Sequence, residues 1–141
     1  MTTPEESKRL VLDFYQIVMS DGHIHRLNEF VSETYIDHNG SANDQGRDSL
    51  IRHISGLRST FPDFEMACHE AISDGEWVAV RVTGKGTHLG EWMGIRPSNK
   101  TVYLKGINFD RVVDGKISEH YGEADTVSMM LQMGVNPFPG G

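Results

Sequence analysis

Apolar residues recur at helical spacing through the first 60 or so positions, and from residue 64 onward they recur at every second position. The first helix starts at a capping box, with Thr3 and Glu6 three apart, Pro4 in the first turn, and Glu5 and Glu6 favourably placed against the helix dipole. Leu10, Val11, Phe14, Ile17 and Val18 form its apolar face, and Asp21-Gly22 ends it. A shorter helical segment carries Leu27, Phe30 and Val31, and the run ETYIDHNGSANDQG is rich enough in turn formers to predict a loop. A third helix begins near Arg47, presents Leu50, Ile51, Ile54 and Leu57 on one face, and stops at Phe61-Pro62-Asp63.

Beyond that point Phe64, Met66, Cys68 and Ile72 alternate along one strand, SDGEW supplies a hairpin turn, and Val78, Val80 and Val82 line one face of the next. PSNK separates that strand from TVYLKGINFDRVV, and VDGK turns into ISEHYGEA. Thr126–Met133 then reads as a closing helix with Gly134 as its stop. Helices first and a meander after predict an α+β fold: one domain over residues 1–141, with three N-terminal helices packed on a curved antiparallel sheet.

A formal charge of −7 with the basic residues scattered singly argues against a nucleic-acid partner. The N-terminal MTTPEESKRL lacks the pattern of a secretory signal, and no run approaches the ~20 apolar residues of a membrane span, so the expectation is a soluble, cytoplasmic protein. The lone Cys68 excludes an internal disulfide and reads as core packing. His23 and His25 form an i, i+2 pair without a third ligand, so no metal site is predicted; His53 and His69 read as surface residues. The Pro- and Gly-rich tail VNPFPGG is expected to be loosely ordered. The nucleophile elbow, the phosphate-binding loop, the dinucleotide fingerprint and the zinc-protease helix are all absent as patterns.

A curved sheet closed by helices can hold an apolar cavity, and the glycines at 84, 86, 90, 94 and 106 suit the bends such a sheet needs. Counting by twos, His88 shares the inward face of Val78, Val80 and Val82, while Ile117, Glu119, Tyr121, Glu123 and Asp125 share the covered face of the last strand. Two readings of Asp125 stand side by side: N-cap of the closing helix, or a carboxylate at the rim of an apolar cavity acting as general acid or base. His38, in YIDHNG, is either a donor or proton relay folded over the sheet's open end or a plain loop histidine. The segment GTHLGEWMGIRPSNK, with Trp92, Met93 and Ile95, suits either an apolar flap or a subunit contact, and Arg81 and Lys85 point to the outer face, where a sheet-to-sheet dimer could form.

YIDHNG, FPDFE, GTHLGEWMGIRPSNK and FDRVVDGKISEHYGEADTVSMMLQMG, in that order, resemble the SnoaL-like polyketide cyclase family over nearly the whole chain. The resemblance implies a cone-shaped α+β barrel of the nuclear-transport-factor-2-like kind, a frequent homodimer, and a cofactor-free, metal-free intramolecular aldol condensation. By resemblance Asp125 stands where the family has its acid/base aspartate, and Tyr15 matches a pocket-lining tyrosine. Asn108 stands where the cyclases have a histidine, and Tyr121 where tryptophan is common. The resulting expectation is catalysis by Asp125 with His38 on a small apolar carbonyl compound, with Tyr15, His88, Trp92, Asn108 and Tyr121 around it. A noncatalytic ligand-binding protein, and an isomerase or hydrolase on the same scaffold, are the alternatives.

Overall fold

The computed structural model describes residues 2–41 and 43–138. The expectation of a loose tail is therefore tested only as far as Phe138, because residues 139–141 lie outside the described range.

Helix α1 spans Pro4–Phe14, and the Thr3 hydroxyl accepts from the Glu6 amide as the capping box requires. The helix does not continue as α: Tyr15–Ser20 is a π-helical segment capped by Asp21, and Gly22 follows with φ 77°. The guanidinium of Arg58, at the end of α2 (Arg47–Thr60), donates to the carbonyls of Met19, Ser20 and Phe64 and fastens this wide turn in place. The short segment Ile24–Glu29 is a 3₁₀ helix.

Strands β1 (Val31–Asp37), β2 (Glu65–Ser73), β3 (Trp77–Thr87), β4 (Thr101–Val113) and β5 (Lys116–Ala124) form one open, curved sheet in the order β1-β5-β4-β3-β2, and α3 (Thr126–Gln132) follows β5. The sheet is mixed rather than purely antiparallel, since β1 pairs parallel to β5. The loop expected from residue 33 onward is thus corrected at its start: VSETYID is a strand. Its only buried side chains are Val31 and Tyr35, four apart, a spacing that reads as helical or as nothing.

Two bulges matter more than any boundary. In β2, Cys68 pairs with Val82 but Glu70 pairs with Arg81, so His69 is the extra residue and Ile72 turns outward, 73% exposed, instead of sharing the face of Cys68. In β5, Ile117 pairs with Val112 but Glu119 pairs with Arg111, so Ser118 is extra. Beyond Ser118 the faces exchange: His120 and Gly122 face the helices, in register with Asp110 and Asn108, while Glu119, Tyr121 and Glu123 share the outer face with Arg111, Phe109 and Ile107. The predicted inward set of β5 is corrected accordingly, with only Ile117 keeping its side.

Helices and concave sheet face bury a common core that includes Val11, Val18, Leu27, Ile54, Val78, Val80 and Ile117. At roughly 1.5–3 kcal/mol per fully buried aliphatic side chain, this layer is the main force holding the helices on the sheet. Among the described residues no helix is long and apolar enough to cross a membrane.

Candidate active site

Between the concave face and the helices lies a chamber of about 320 Å³. Phe14, Met19, Phe61, Phe64, Val82 and Leu104 make much of its wall apolar, and Trp92 reaches it from the segment between β3 and β4, where it pairs with Ile95 in a short bridge. The polar wall is concentrated on β4 and β5, where Asn108 and Asp110 face Gly122 and His120 across the ladder.

Asp110 is 2% exposed and holds two partners. The hydroxyl of Tyr15, itself 3% exposed, donates to its Oδ2, and His120 Nδ1 lies 2.5 Å from its Oδ1. A carboxylate acceptor fixes the imidazole tautomer with hydrogen on Nδ1 and leaves Nε2 as the ring nitrogen free for chemistry. The backbone of β5 is pinned at the same place: the His38 amide donates to the His120 carbonyl, and the Asn39 carboxamide both donates to the Gly122 carbonyl, at 2.6 Å, and accepts from the Gly122 amide, at 2.7 Å. The segment after β1 therefore continues the sheet with a side chain in place of backbone.

The electrostatics follow from this burial. Loss of solvent, and then the charge and hydrogen bond of Asp110, push the Tyr15 hydroxyl well above the ordinary tyrosine value, so it remains a donor. Tyr35 is raised as well, first by burial and then by Asp37. For His120, burial alone would disfavour the imidazolium, but the hydrogen bond and charge of Asp110, with Asp37 behind, outweigh it and set the pKa above the ordinary histidine value. The result is a base with a built-in counter-ion, opening into a largely apolar chamber.

The residues singled out from sequence divide into two groups. Tyr15, Trp92 and Asn108 stand on the chamber wall. Asp125 does not: its Oδ1 accepts from the Ser128 amide at 3.0 Å as the N-cap of α3, and the exposed carboxylate borders an outer groove with Arg81 and Lys105. Of the two readings left open for Asp125, this geometry is that of the cap. His38 is also outside, its Nε2 2.9 Å from Glu119 Oε1 and its ring stacked on Tyr121 at 4.3 Å, so neither His38 nor Tyr121 reaches the chamber. The outward turn of Tyr121 follows from the extra residue at Ser118. His88 points inward and is fully buried, with Nδ1 accepting from the Ser98 amide, but it packs behind Phe61 and does not line the chamber. His53, expected on the surface, is exposed and stands at the chamber's edge. Among the described residues no three His, Cys, Asp or Glu side chains converge as metal ligands.

Asp110 and His120 were not singled out from the sequence, although a signal existed. Asp114 and Gly115, both with positive φ, make a two-residue hairpin loop that pairs Val113 with Lys116. Counting back from that loop pairs Asp110 with Glu119, and the bulge moves the partner on to His120.

An open curved sheet covered by helices is the architecture of SnoaL-like and nuclear-transport-factor-2-like proteins. The chain belongs to the SnoaL-like polyketide cyclase family, whose sequence model matches residues 9–133. It is 27% identical over 116 residues to the aklanonic acid methyl ester cyclase DauD of Streptomyces sp. strain C5, covering 80% of this chain and 69% of that protein. It is 26% identical over 95 residues to the nogalonic acid methyl ester cyclase of Streptomyces nogalater, covering 67% and 70%. Among solved structures, IdmH of Streptomyces antibioticus superposes with a TM-score of 0.80 at 26% identity, covering 91% of this chain and 98% of that one.

Proposed function

We propose that this chamber carries out acid/base chemistry on a small, mostly apolar carbonyl compound, closing a ring by intramolecular aldol condensation. The observation that carries the reading is His120, its Nδ1 tied to the buried Asp110 and its other nitrogen facing the chamber. Neutral His120 takes a proton from the carbon beside a carbonyl at Nε2, and Asp110 stabilises the imidazolium that forms. The enolate carbon then bonds to a second carbonyl carbon of the same molecule. The alkoxide so produced takes the proton back from Nε2, and the enzyme returns to its starting state with no atom gained or lost. Tyr15 acts through Asp110, and the Asn108 carboxamide is a neutral polar group on the same wall as His120. The chamber volume, about 320 Å³, lies at the lower end of the ~300–1,000 Å³ range of ligand pockets and suits one or two fused rings better than a long chain.

The test is exchange of α-protons of β-tetralone into heavy water, followed by NMR. Wild type and Asp125→Asn are expected to accelerate exchange alike, since Asn retains the cap. No acceleration by wild type would remove the reading, and loss confined to Asp125→Asn would return the base to that residue.

We further propose that the outer sheet face joins two copies of the chain. Trp77 stacks on Phe109 at 4.5 Å, Ile107 and Tyr121 are exposed beside them, and Arg111 bridges Glu76 and Glu119 on the same face. An apolar strip flanked by both charge signs supports self-association. Sedimentation equilibrium is expected to give the mass of two chains for wild type and of one for Ile107→Asp; a wild-type monomer at micromolar concentration would reject the dimer.

A further inference from the structure

Gly122 stands in β5 with no unusual backbone: it is not among the glycines with positive φ. A glycine in an ordinary strand weakens it by roughly 0.5–1 kcal/mol relative to alanine, so its presence calls for a reason of space. The other inward sheet glycines have packing reasons. A Cβ at Gly84 would run into the ring of Phe64, one at Gly86 into Phe61, and one at Gly106 into the Glu123 carbonyl. At Gly122 the obstruction is of another kind. A Cβ there would stand 2.8 Å from His120 Nε2 and 2.9 Å from Asn108 Oδ1.

Both lengths are shorter than real Cβ contacts, so a side chain at 122 would press on His120 Nε2 and Asn108 Oδ1, and they place these two polar atoms close enough together for one atom to reach both. Neither His120 nor the strand that would carry the new side chain can easily retreat. His120 is held at 2.5 Å by Asp110, and the backbone of residue 122 is gripped on both sides by the Asn39 carboxamide. We propose that the side-chain-free position 122 is the specificity-determining residue of the site: the room beside it admits a substrate oxygen to His120 Nε2 and the Asn108 carboxamide at once. An oxygen resting at van der Waals distance over the bare Gly122 Cα, within reach of both groups, accepts from the imidazolium Nε2–H and, as an enol or phenol hydroxyl, donates to Asn108 Oδ1. The substrate class is therefore a carbonyl compound that presents an enolic or phenolic oxygen, and any side chain at 122 excludes it. This rests on the reading of His120 as the acid/base group, but the room itself can be measured without that reading.

Diethyl pyrocarbonate acylates accessible imidazole nitrogen, and peptide mass spectrometry gives the rate at each histidine. In wild type His120 is expected to react. In Gly122→Ala its rate should fall at least tenfold while exposed His25 and His69, away from the chamber, are unchanged and serve as references. A His120 rate within twofold of wild type in folded Gly122→Ala overturns the proposal. If that variant does not fold, Gly122→Ala/Asn108→Ala removes the opposing wall to house the new methyl, and the same tenfold loss or twofold constancy at His120 decides. Should β-tetralone exchange be absent in wild type while the acylation result holds, the catalytic reading fails and the assignment of position 122 stands.

Discussion

His120→Gln should lower catalysed α-proton exchange by about 100- to 10,000-fold, the usual contribution of a positioned general base, while leaving the fold intact. Glutamine is close to histidine in reach and can donate to Asp110 through its amide, so the buried carboxylate keeps a partner. What it lacks is a nitrogen that takes up a proton near neutral pH. A base made by desolvation plus a carboxylate also sets the form of the pH profile. Because Asp110 raises the pKa of His120 above the ordinary ~6.5, the active neutral form accumulates only above that raised value, and the rate should climb with pH across this region. Retention of more than a tenth of wild-type exchange in His120→Gln would exclude this histidine as the base.

Asp110→Asn has the second-largest expected effect, and it is read in stability. The carboxylate accepts from both Tyr15 and His120, and a carboxamide keeps only one accepting oxygen and no charge. Loss of satisfied buried partners costs roughly 1–3 kcal/mol. The sign with pH is distinctive. A group whose pKa is raised on folding stabilises the native state fully below its unfolded value, and the contribution disappears as pH rises through the raised native value. The gap in urea stability between wild type and Asp110→Asn should therefore be widest near pH 6 and narrow towards pH 9. Tyr15→Phe serves as the control: the Tyr15 hydroxyl stays protonated throughout this range, so its loss should cost the same at both ends. A gap for Asp110→Asn that does not change with pH would mean that His120 is not charged against it.

Much of the fold could be read from local rules, because capping residues, helical periodicity and Gly-containing turns act over a few positions. The capping box at Thr3, the stop after Thr60 and the Asp114-Gly115 turn stand where those rules place them. The long-range pairing could not be read in this way. β1 exists because β5 offers it a parallel edge, not because VSETYID prefers to be extended, and its two buried residues give no alternation to detect. The site suffered most. Parity counting is all-or-none, so one extra residue at Ser118 moved His120 from the predicted outside to the chamber and Tyr121 and Glu123 the other way. Tyr15, Asn108 and Trp92, which lie on segments without such an interruption, were found on the wall.

The change from α to π winding at Tyr15 divides the labour within the first helix. Its leading half is an anchor, with Ser7 bonded to the Gly75 turn and Val11 sealed in the core, whereas Phe14, Tyr15 and Met19 supply chamber wall. Because Arg58 ties down the far end of the wide turn through the backbone carbonyls of Met19 and Ser20, a change of side chain at Phe14 or Met19 reshapes the lining without removing those ties. Such a partition lets one scaffold acquire differently shaped interiors, and therefore different guests, at little risk to its own integrity.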